Sequence, residues 1–180
     1  MAKERTKEID EGAKREVIEK IIDPSEIQKI GFELIKKAEK EILVLFSTAN
    51  AFRRQEKAGA LELLKEAVKL HNVKVRILVP IRDSSTASKG IEQVRGSGID
   101  IRTIKHTFQN KLTTLTVDQS LCLIIELKDD TAESSDEAIG LATYSNSDAT
   151  VFSYISIFEN LWIQTELHKK QGQEAAARSS

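Results

Sequence analysis

The sequence predicts an α/β fold, in which a βαβαβ unit and then antiparallel strands form one mixed sheet with helices on both faces and long terminal helices. Apolar runs of strand length alternate with helical periodicity up to about residue 105, which is typical of parallel strands joined by crossover helices. After residue 110, two strand-like runs are separated by only two residues, which indicates a hairpin. Both ends of the chain have helical spacing.

Composition narrows the functions that the chain can have. Its 180 residues suffice for one domain with a buried core, and 40% hydrophobic against 31% charged residues is an ordinary globular balance. The formal net charge of -1 provides no basic field for nucleic acid, so we expect no direct nucleic-acid binding.

The cysteine count and the hydropathy restrict the chain further. Its single cysteine, Cys122, excludes an internal disulfide and a zinc site with several thiolates, and we expect no metal or cofactor. Cys122 lies in an apolar run and is expected to be a small buried side chain. No signal peptide or long apolar stretch is visible, so we expect a cytoplasmic location, with any membrane anchor of the parent protein outside this chain.

Charge and periodicity divide the chain into three parts: residues 1–22 as a charged linker or signalling helix, 23–168 as the folded domain, and 169–180 as a flexible tail. In the first part a thin apolar seam consists of Ile9, Ala13, Val17 and Ile21. Because so polar a helix needs a partner to persist, Val17 and Ile21 are predicted to lie in a dimer or relay contact.

The folded part has a recognisable order of elements. Asp23-Pro24-Ser25 starts a helix. Buried strands are predicted over 41–46 and 73–79, with a helix over 52–70 between them, and a third strand is predicted over 99–104. A hairpin over 111–117 and 120–127 turns at Asp118-Gln119, and an acidic loop leads to a strand over 138–144. The last helix, 148–168, is expected to pack on the sheet through Phe158 and Trp162.

Polar residues follow the first two strands, at the edge where open α/β sheets bind ligands. Arginines beside helix N-termini and hydroxyl groups suit a phosphate or carboxylate, so a small anionic ligand is one interpretation. Ordinary helix capping and a solvated charged turn are the alternative. The candidate residues after these two strands are Ser47, Asn50, Arg53, Arg54, Arg82, Ser84 and Ser85. Asn146, at the end of the strand over 138–144, is expected near the same edge and is the eighth candidate.

The order of elements resembles the phospholipase D superfamily, whose hairpin strand carries His-x-Lys, four further residues and Asp. When Asp118 is matched to that aspartate, Lys111 stands at the position of the nucleophilic histidine and Thr113 at that of the lysine. Lysine is protonated at neutral pH and threonine carries no charge, so the resemblance implies that this hairpin has lost the chemistry. On this basis the chain is predicted not to be an enzyme.

A closer resemblance covers nearly the whole chain. The segments LVLFSTANAFRRQ, VKVRILVPI, IGLATYSNSDATV and YISIFENLWIQTEL are similar to the phospholipase D-like sensory region of thaumarchaeal two-component histidine kinases. The resemblance implies a sensory and signal-relay domain that forms a homodimer, with a kinase or another output domain C-terminal to it. Related domains form the effector-binding half of TrmB-type archaeal transcription regulators, which is the alternative function. A phosphodiesterase is the least favoured.

Overall fold

A computed structural model describes residues 15–82, 88–105 and 110–179. Within these ranges the chain forms one seven-stranded sheet and six helices. In chain order the elements are β1 (Ile18–Ile21), α1 (Pro24–Lys37), β2 (Glu41–Leu45), α2 (Ala49–Lys57), α3 (Ala60–His71), β3 (Lys74–Ile81), α4 (Ser88–Arg95), β4 (Asp100–Lys105), β5 (Leu112–Val117), β6 (Leu121–Leu127), α5 (Ser135–Ala138), β7 (Ile139–Ser145) and α6 (Asp148–Arg178).

The sheet is mixed, and its strand order is β1-β7-β6-β5-β2-β3-β4. Strands β2, β3 and β4 are parallel, as the crossover helices between them require. Strand β5 runs antiparallel to β2, and β6, β7 and β1 continue the antiparallel half. The predicted fold class, a βαβαβ unit followed by antiparallel strands, is therefore confirmed.

Helices cover both faces of the sheet, because alternate side chains of each buried strand point in opposite directions. In β2 and just after it, Ile42, Val44 and Phe46 pack with apolar residues of α1, α2, α3 and α4 on one face. Leu43 and Leu45 pack against α6 on the other. The central strands are thus buried on both sides, which explains their continuous apolar sequences.

Two arginines of the sheet hold α6 in place. The Arg76 guanidinium lies 5.3 Å from the centre of the Trp162 ring and pairs with both Glu41 and Glu159. The Arg102 guanidinium lies 3.8 Å from the centre of the same ring. Phe158 and Trp162, which were expected to pack on the sheet, are 2% and 6% exposed.

The helix predicted over residues 1–22 is wrong at its C-terminal end. Residues 18–21 form β1, which pairs antiparallel with β7, and residues 1–14, including Ile9 and Ala13, lie outside the described ranges. Ile21 is only 2% exposed and belongs to the core of this chain, and the Val17 backbone N–H donates to Asn146 Oδ1. Ile21 therefore belongs to the core rather than to a dimer or relay seam, whereas the Val17 contact involves only its backbone, and the sheet begins before Asp23.

Two other helix boundaries differ from the prediction. The helix expected over 52–70 is two helices, α2 and α3, because the chain turns at Gly59, whose φ of 92° suits glycine. The segment expected to be a flexible tail continues α6 as far as Arg178. Its Ala-rich sequence has high helix propensity, and its residues are exposed.

Burial makes the only thiol of the chain unreactive. Cys122 is fully buried in a cluster with Val151 of α6, and burial raises the pKa of its thiol from 9.0 to about 11, although a backbone hydrogen bond with Ser145 opposes the rise. The pKa of this thiol is higher in the folded protein than in the unfolded chain. The contribution of the neutral thiol to the free energy of unfolding is therefore fully present below about pH 9 and is lost as the pH rises towards about 11.

We expect Ellman's reagent at about pH 8 to leave the folded protein unmodified and to titrate one thiol per chain in denaturing urea. The control is the same reaction with a small free thiol in the same buffer. Complete labelling of the folded protein at the rate of that free thiol would show that Cys122 is accessible.

Candidate functional site

A pocket lies between α1 and the sheet. Its cavity volume, taken as the space open to the centre of a water-sized sphere, is about 80 Å³. Helix α1 forms one wall with Ile27, Gly31 and Ile35, and the sheet forms the floor with Val44 and Leu115 among others. A largely apolar pocket with a few polar groups is the usual form of a small-molecule site.

Several polar groups of the pocket gather where β2 ends, and Gln28, Glu126 and Ser135 also line it. Ser47, Arg54, Gln55 and Thr113 all line it. The Ser47 backbone N–H donates to Thr113 Oγ1 at 3.0 Å, and the Thr113 hydroxyl lies 3.2 Å from Ser47 Oγ. Two strands therefore place two hydroxyl groups at the rim of an apolar cavity.

The Asp130 carboxylate lies beside this rim, at the N-terminus of α2. Asp130 Oδ1 is 2.9 Å from Arg54 Nη2 and accepts a hydrogen bond from Thr48 Oγ1 at 2.7 Å. Asn50 Nδ2 is 3.3 Å from both Asp130 O and Asp130 Oδ2. Arg54 and Asn50, two of the residues predicted to bind an anion, thus contact a carboxylate of the chain itself.

The Arg54 side chain is only 7% exposed, and that of Asp130 is 34% exposed. Arg54 Nη1 also donates to the carbonyl oxygens of Asp130, at 3.2 Å, and Ala132, at 3.0 Å. A buried guanidinium requires such partners because an unpaired charge is costly to remove from water.

The structure brings together some of the predicted ligand-binding residues. Ser47 and Arg54 line the pocket, and Asn50 holds the Asp130 segment beside it. Arg53 and Arg82 are exposed and are not among the lining residues of the pocket. Ser84 and Ser85 lie outside the described residues.

The placement predicted for Asn146 is wrong. The register pairs Ser145 with Cys122, Cys122 with Thr116, and Thr116 with Leu43, which places Asn146 near the beginning of β2. There its side chain accepts a hydrogen bond from the Val17 backbone, so it anchors β1. Strand β7 runs antiparallel to the β2 direction, and the sequence alone did not define that register.

The three residues matched to the phospholipase D motif have separate locations. Lys111 is exposed, whereas Thr113 lies in the pocket. Asp118 lies at the opposite edge, where its carboxylate accepts hydrogen bonds from the backbone N–H groups of residues 39–41 at 2.7–2.9 Å. Its φ of 52° and that of 55° at Gln119 form the predicted hairpin turn.

Sequence reasoning missed Asp130 and the wall that α1 contributes. The acidic loop was expected only to lead to the strand over 138–144, because the 76 residues between Arg54 and Asp130 leave no local signal of their pairing. No group of three or more His, Cys, Asp or Glu side chains suited to a metal ion occurs within residues 15–82, 88–105 and 110–179. In those ranges no helix has the length and apolar character needed to cross a membrane.

Comparison with known proteins supports the fold. No protein-family model matches the chain, and no curated protein matches it. The structure is similar to that of TrmBL2, an archaeal chromatin protein, with a TM-score of 0.58 and 17% identity over 91% of this chain and 61% of that one. It is also similar to Nuc from Salmonella typhimurium, a phospholipase D family member, with a TM-score of 0.61 and 16% identity over 83% of this chain and 96% of that one.

NucT from Helicobacter pylori has a TM-score of 0.62 and 8% identity, and the likeness covers 84% of this chain and 98% of NucT. At these identities the likenesses establish the fold alone. The chain spans less than two thirds of TrmBL2, so the activity and partners of that whole protein do not transfer to it.

The prediction that this chain is not an enzyme is contradicted by the proteins that share its fold. Besides the phospholipase D family member, they include a polyphosphate kinase from Porphyromonas gingivalis and a phosphatidylserine synthase from Haemophilus influenzae, with TM-scores of 0.59 and 0.58. Two altered positions in one hairpin were too narrow a basis for excluding catalysis from a fold that enzymes use. The chain has a phospholipase D-like fold, with structural relatives among enzymes and an archaeal chromatin protein.

Proposed function

We propose that this chain is the ligand-binding and signal-relay domain of an archaeal two-component histidine kinase. The observation that carries the proposal is the apolar pocket with polar groups at its rim, on the face of the sheet opposite α6. The four sequence segments similar to thaumarchaeal kinase sensory regions support the choice of parent protein.

A short physical path connects the pocket with α6. Val44 and Phe46 line the pocket, whereas Leu43 and Leu45 of the same strand pack with Phe158 on the opposite face. A ligand that displaces β2 therefore acts on α6 through adjacent residues of one strand, because close-packed side chains transmit such shifts.

The proposal includes a homodimer and an output domain that follows α6. Phe152, Ile163 and Leu167 of α6 are 52%, 52% and 53% exposed. Apolar side chains exposed along one helix favour α6, rather than β1, as the surface that a second copy covers.

The effector-binding domain of a TrmB-like regulator is the second candidate function. The likeness to TrmBL2, which covers 91% of this chain, favours it. Both candidates require a ligand in the pocket, and they differ in the output domain that the parent gene encodes next to this segment.

Blocking the pocket tests the proposal. A Cβ atom at Gly31 would lie 3.6 Å from Leu123 Cδ2, an ordinary contact, so Gly31→Ala is the tolerated control, whereas the larger side chain of Gly31→Leu projects into the pocket. We expect the neutral dye phenylnaphthylamine to bind the unmodified protein and Gly31→Ala, and to bind Gly31→Leu about tenfold more weakly, as measured by dye fluorescence.

Hydrogen exchange measured by mass spectrometry on the same samples tests the relay. Dye binding is expected to change the protection of the α6 amides in the unmodified protein and in Gly31→Ala, and not in Gly31→Leu. Equal dye affinity for all three proteins would refute the pocket as the binding site. Dye binding without any change in α6 would refute the relay.

A further inference from the structure

We infer that the ligand of this pocket is an apolar molecule with a carboxylate or phosphate group, and that this group replaces the Asp130 carboxylate on Arg54. The inference rests on the proposed function, since it names the ligand class of the same pocket. In the structure Asp130 takes the place of the anionic group of the ligand.

The position of Arg54 is the first argument. Its side chain is 7% exposed and forms part of the wall of a mainly apolar cavity. A buried guanidinium without an anionic partner is costly, and its planar fork can bind either a carboxylate or a phosphate through two hydrogen bonds. A ligand that removes Asp130 therefore has to supply an anion of its own.

The position of Asp130 is the second argument. The side chain is 34% exposed, so the carboxylate can leave Arg54 and become fully hydrated. Exchanging one carboxylate for another anion leaves the charge at Arg54 balanced. Hydration of the released carboxylate offsets part of the free energy lost from the internal pair.

The anchoring of the loop around Asp130 is the third argument. The backbone N–H groups of Lys128 and Asp129 both donate to the Ala138 carbonyl, which fixes the base of the loop. Asp129 accepts hydrogen bonds from the backbone and hydroxyl of Thr131, which close a local turn. None of these contacts involves α2, although Arg54 Nη1 also donates to the carbonyl oxygens of Asp130 and Ala132. The base of the loop therefore keeps its anchors when the Asp130 side chain turns away from Arg54.

Two dyes with the same ring system separate the anionic contact from the apolar one. Anilinonaphthalene sulfonate carries a sulfonate in place of the ligand's carboxylate or phosphate, whereas phenylnaphthylamine is neutral. In Asp130→Asn, which removes the competing charge, we expect the sulfonate dye to bind about tenfold more tightly and the neutral dye to change less than about twofold. Glu133→Gln is the matched control, because it removes an exposed carboxylate from the same loop, and we expect it to change neither affinity by more than about twofold.

The unmodified protein provides a measurement that does not depend on any variant. We expect the sulfonate dye, and not the neutral dye, to increase hydrogen exchange of the amides in the segment 129–134, since only the sulfonate displaces Asp130. Octanoate and octyl phosphate are expected to displace the sulfonate dye. The compound that displaces the dye at the lower concentration identifies the preferred anion. Equal displacement by neutral octanol would overturn the inference.

The failure of this inference is distinguishable from the failure of the proposed function. If Gly31→Leu weakens both dyes but Asp130→Asn leaves the sulfonate dye unchanged, the pocket is a ligand site and the exchange of anions is wrong. If Gly31→Leu weakens neither dye, the proposed function itself is wrong.

Discussion

Replacing Trp162 with alanine is expected to lower the free energy of unfolding by about 3–5 kcal/mol, the usual cost of removing a large aromatic side chain from a core. Trp162 stacks on Phe158 with ring centres 5.5 Å apart and lies beneath the Arg102 guanidinium. Its loss leaves a cavity between α6 and the sheet and removes two cation–π contacts, from Arg76 and Arg102. Urea unfolding followed by circular dichroism measures the effect without relying on tryptophan emission.

Gln164→Ala is the matched control for Trp162→Ala, because Gln164 lies two residues further along the same helix, is exposed and is not part of the apolar surface assigned to a second copy. It is expected to change the free energy of unfolding by less than about 1 kcal/mol. A similarly small change in Trp162→Ala would mean that α6 does not pack on the sheet as described.

Replacing Asp118 with alanine is expected to lower the free energy of unfolding by about 2–4 kcal/mol, because three backbone N–H groups lose their common acceptor. These groups belong to residues 39–41 and lie 2.7–2.9 Å from the carboxylate oxygens. Alanine also adopts the left-handed φ of 52° at this position less readily than aspartate does. Urea unfolding measures this change as well.

Asp118→Asn is the conservative comparison for this position. Asparagine keeps one carbonyl oxygen as an acceptor and tolerates the left-handed backbone. The free energy of unfolding of the Asp118→Asn protein should therefore fall by about half as much as that of Asp118→Ala. An Asp118→Ala protein as stable as the unmodified one would contradict the structural role that we assign to this carboxylate.

The central part of the fold could be predicted because its signals are local. The apolar runs around β2 and β3 are long enough to identify buried strands, and the two residues between β5 and β6 identify a hairpin. Where the prediction failed, a distant partner decides the structure. Residues 18–21 have enough apolar spacing for a helix, but pairing with β7 makes them a strand.

The candidate site could be predicted only in part, for the same reason. Ser47 and Arg54 follow a recognisable strand, so their place at its C-terminal end was accessible from sequence. Arg54 and Asp130 are 76 residues apart, and no local pattern indicates that they form a pair. Asn146 was assigned to the wrong edge because strand direction depends on the register of β6 and β7.

The short strand β1 also protects one edge of the sheet from pairing with strands of other molecules. Its partner β7 has the sequence IGLATYS, which contains no charged residue. An unpaired, uncharged strand at the edge of a sheet offers its backbone to any other strand that it meets. Strand β1 covers that backbone with only four residues and places Glu19 and Lys20 at the outermost edge. A piece of this chain that begins at Asp23 would therefore lose the part of the sheet that prevents it from associating edge to edge with other copies.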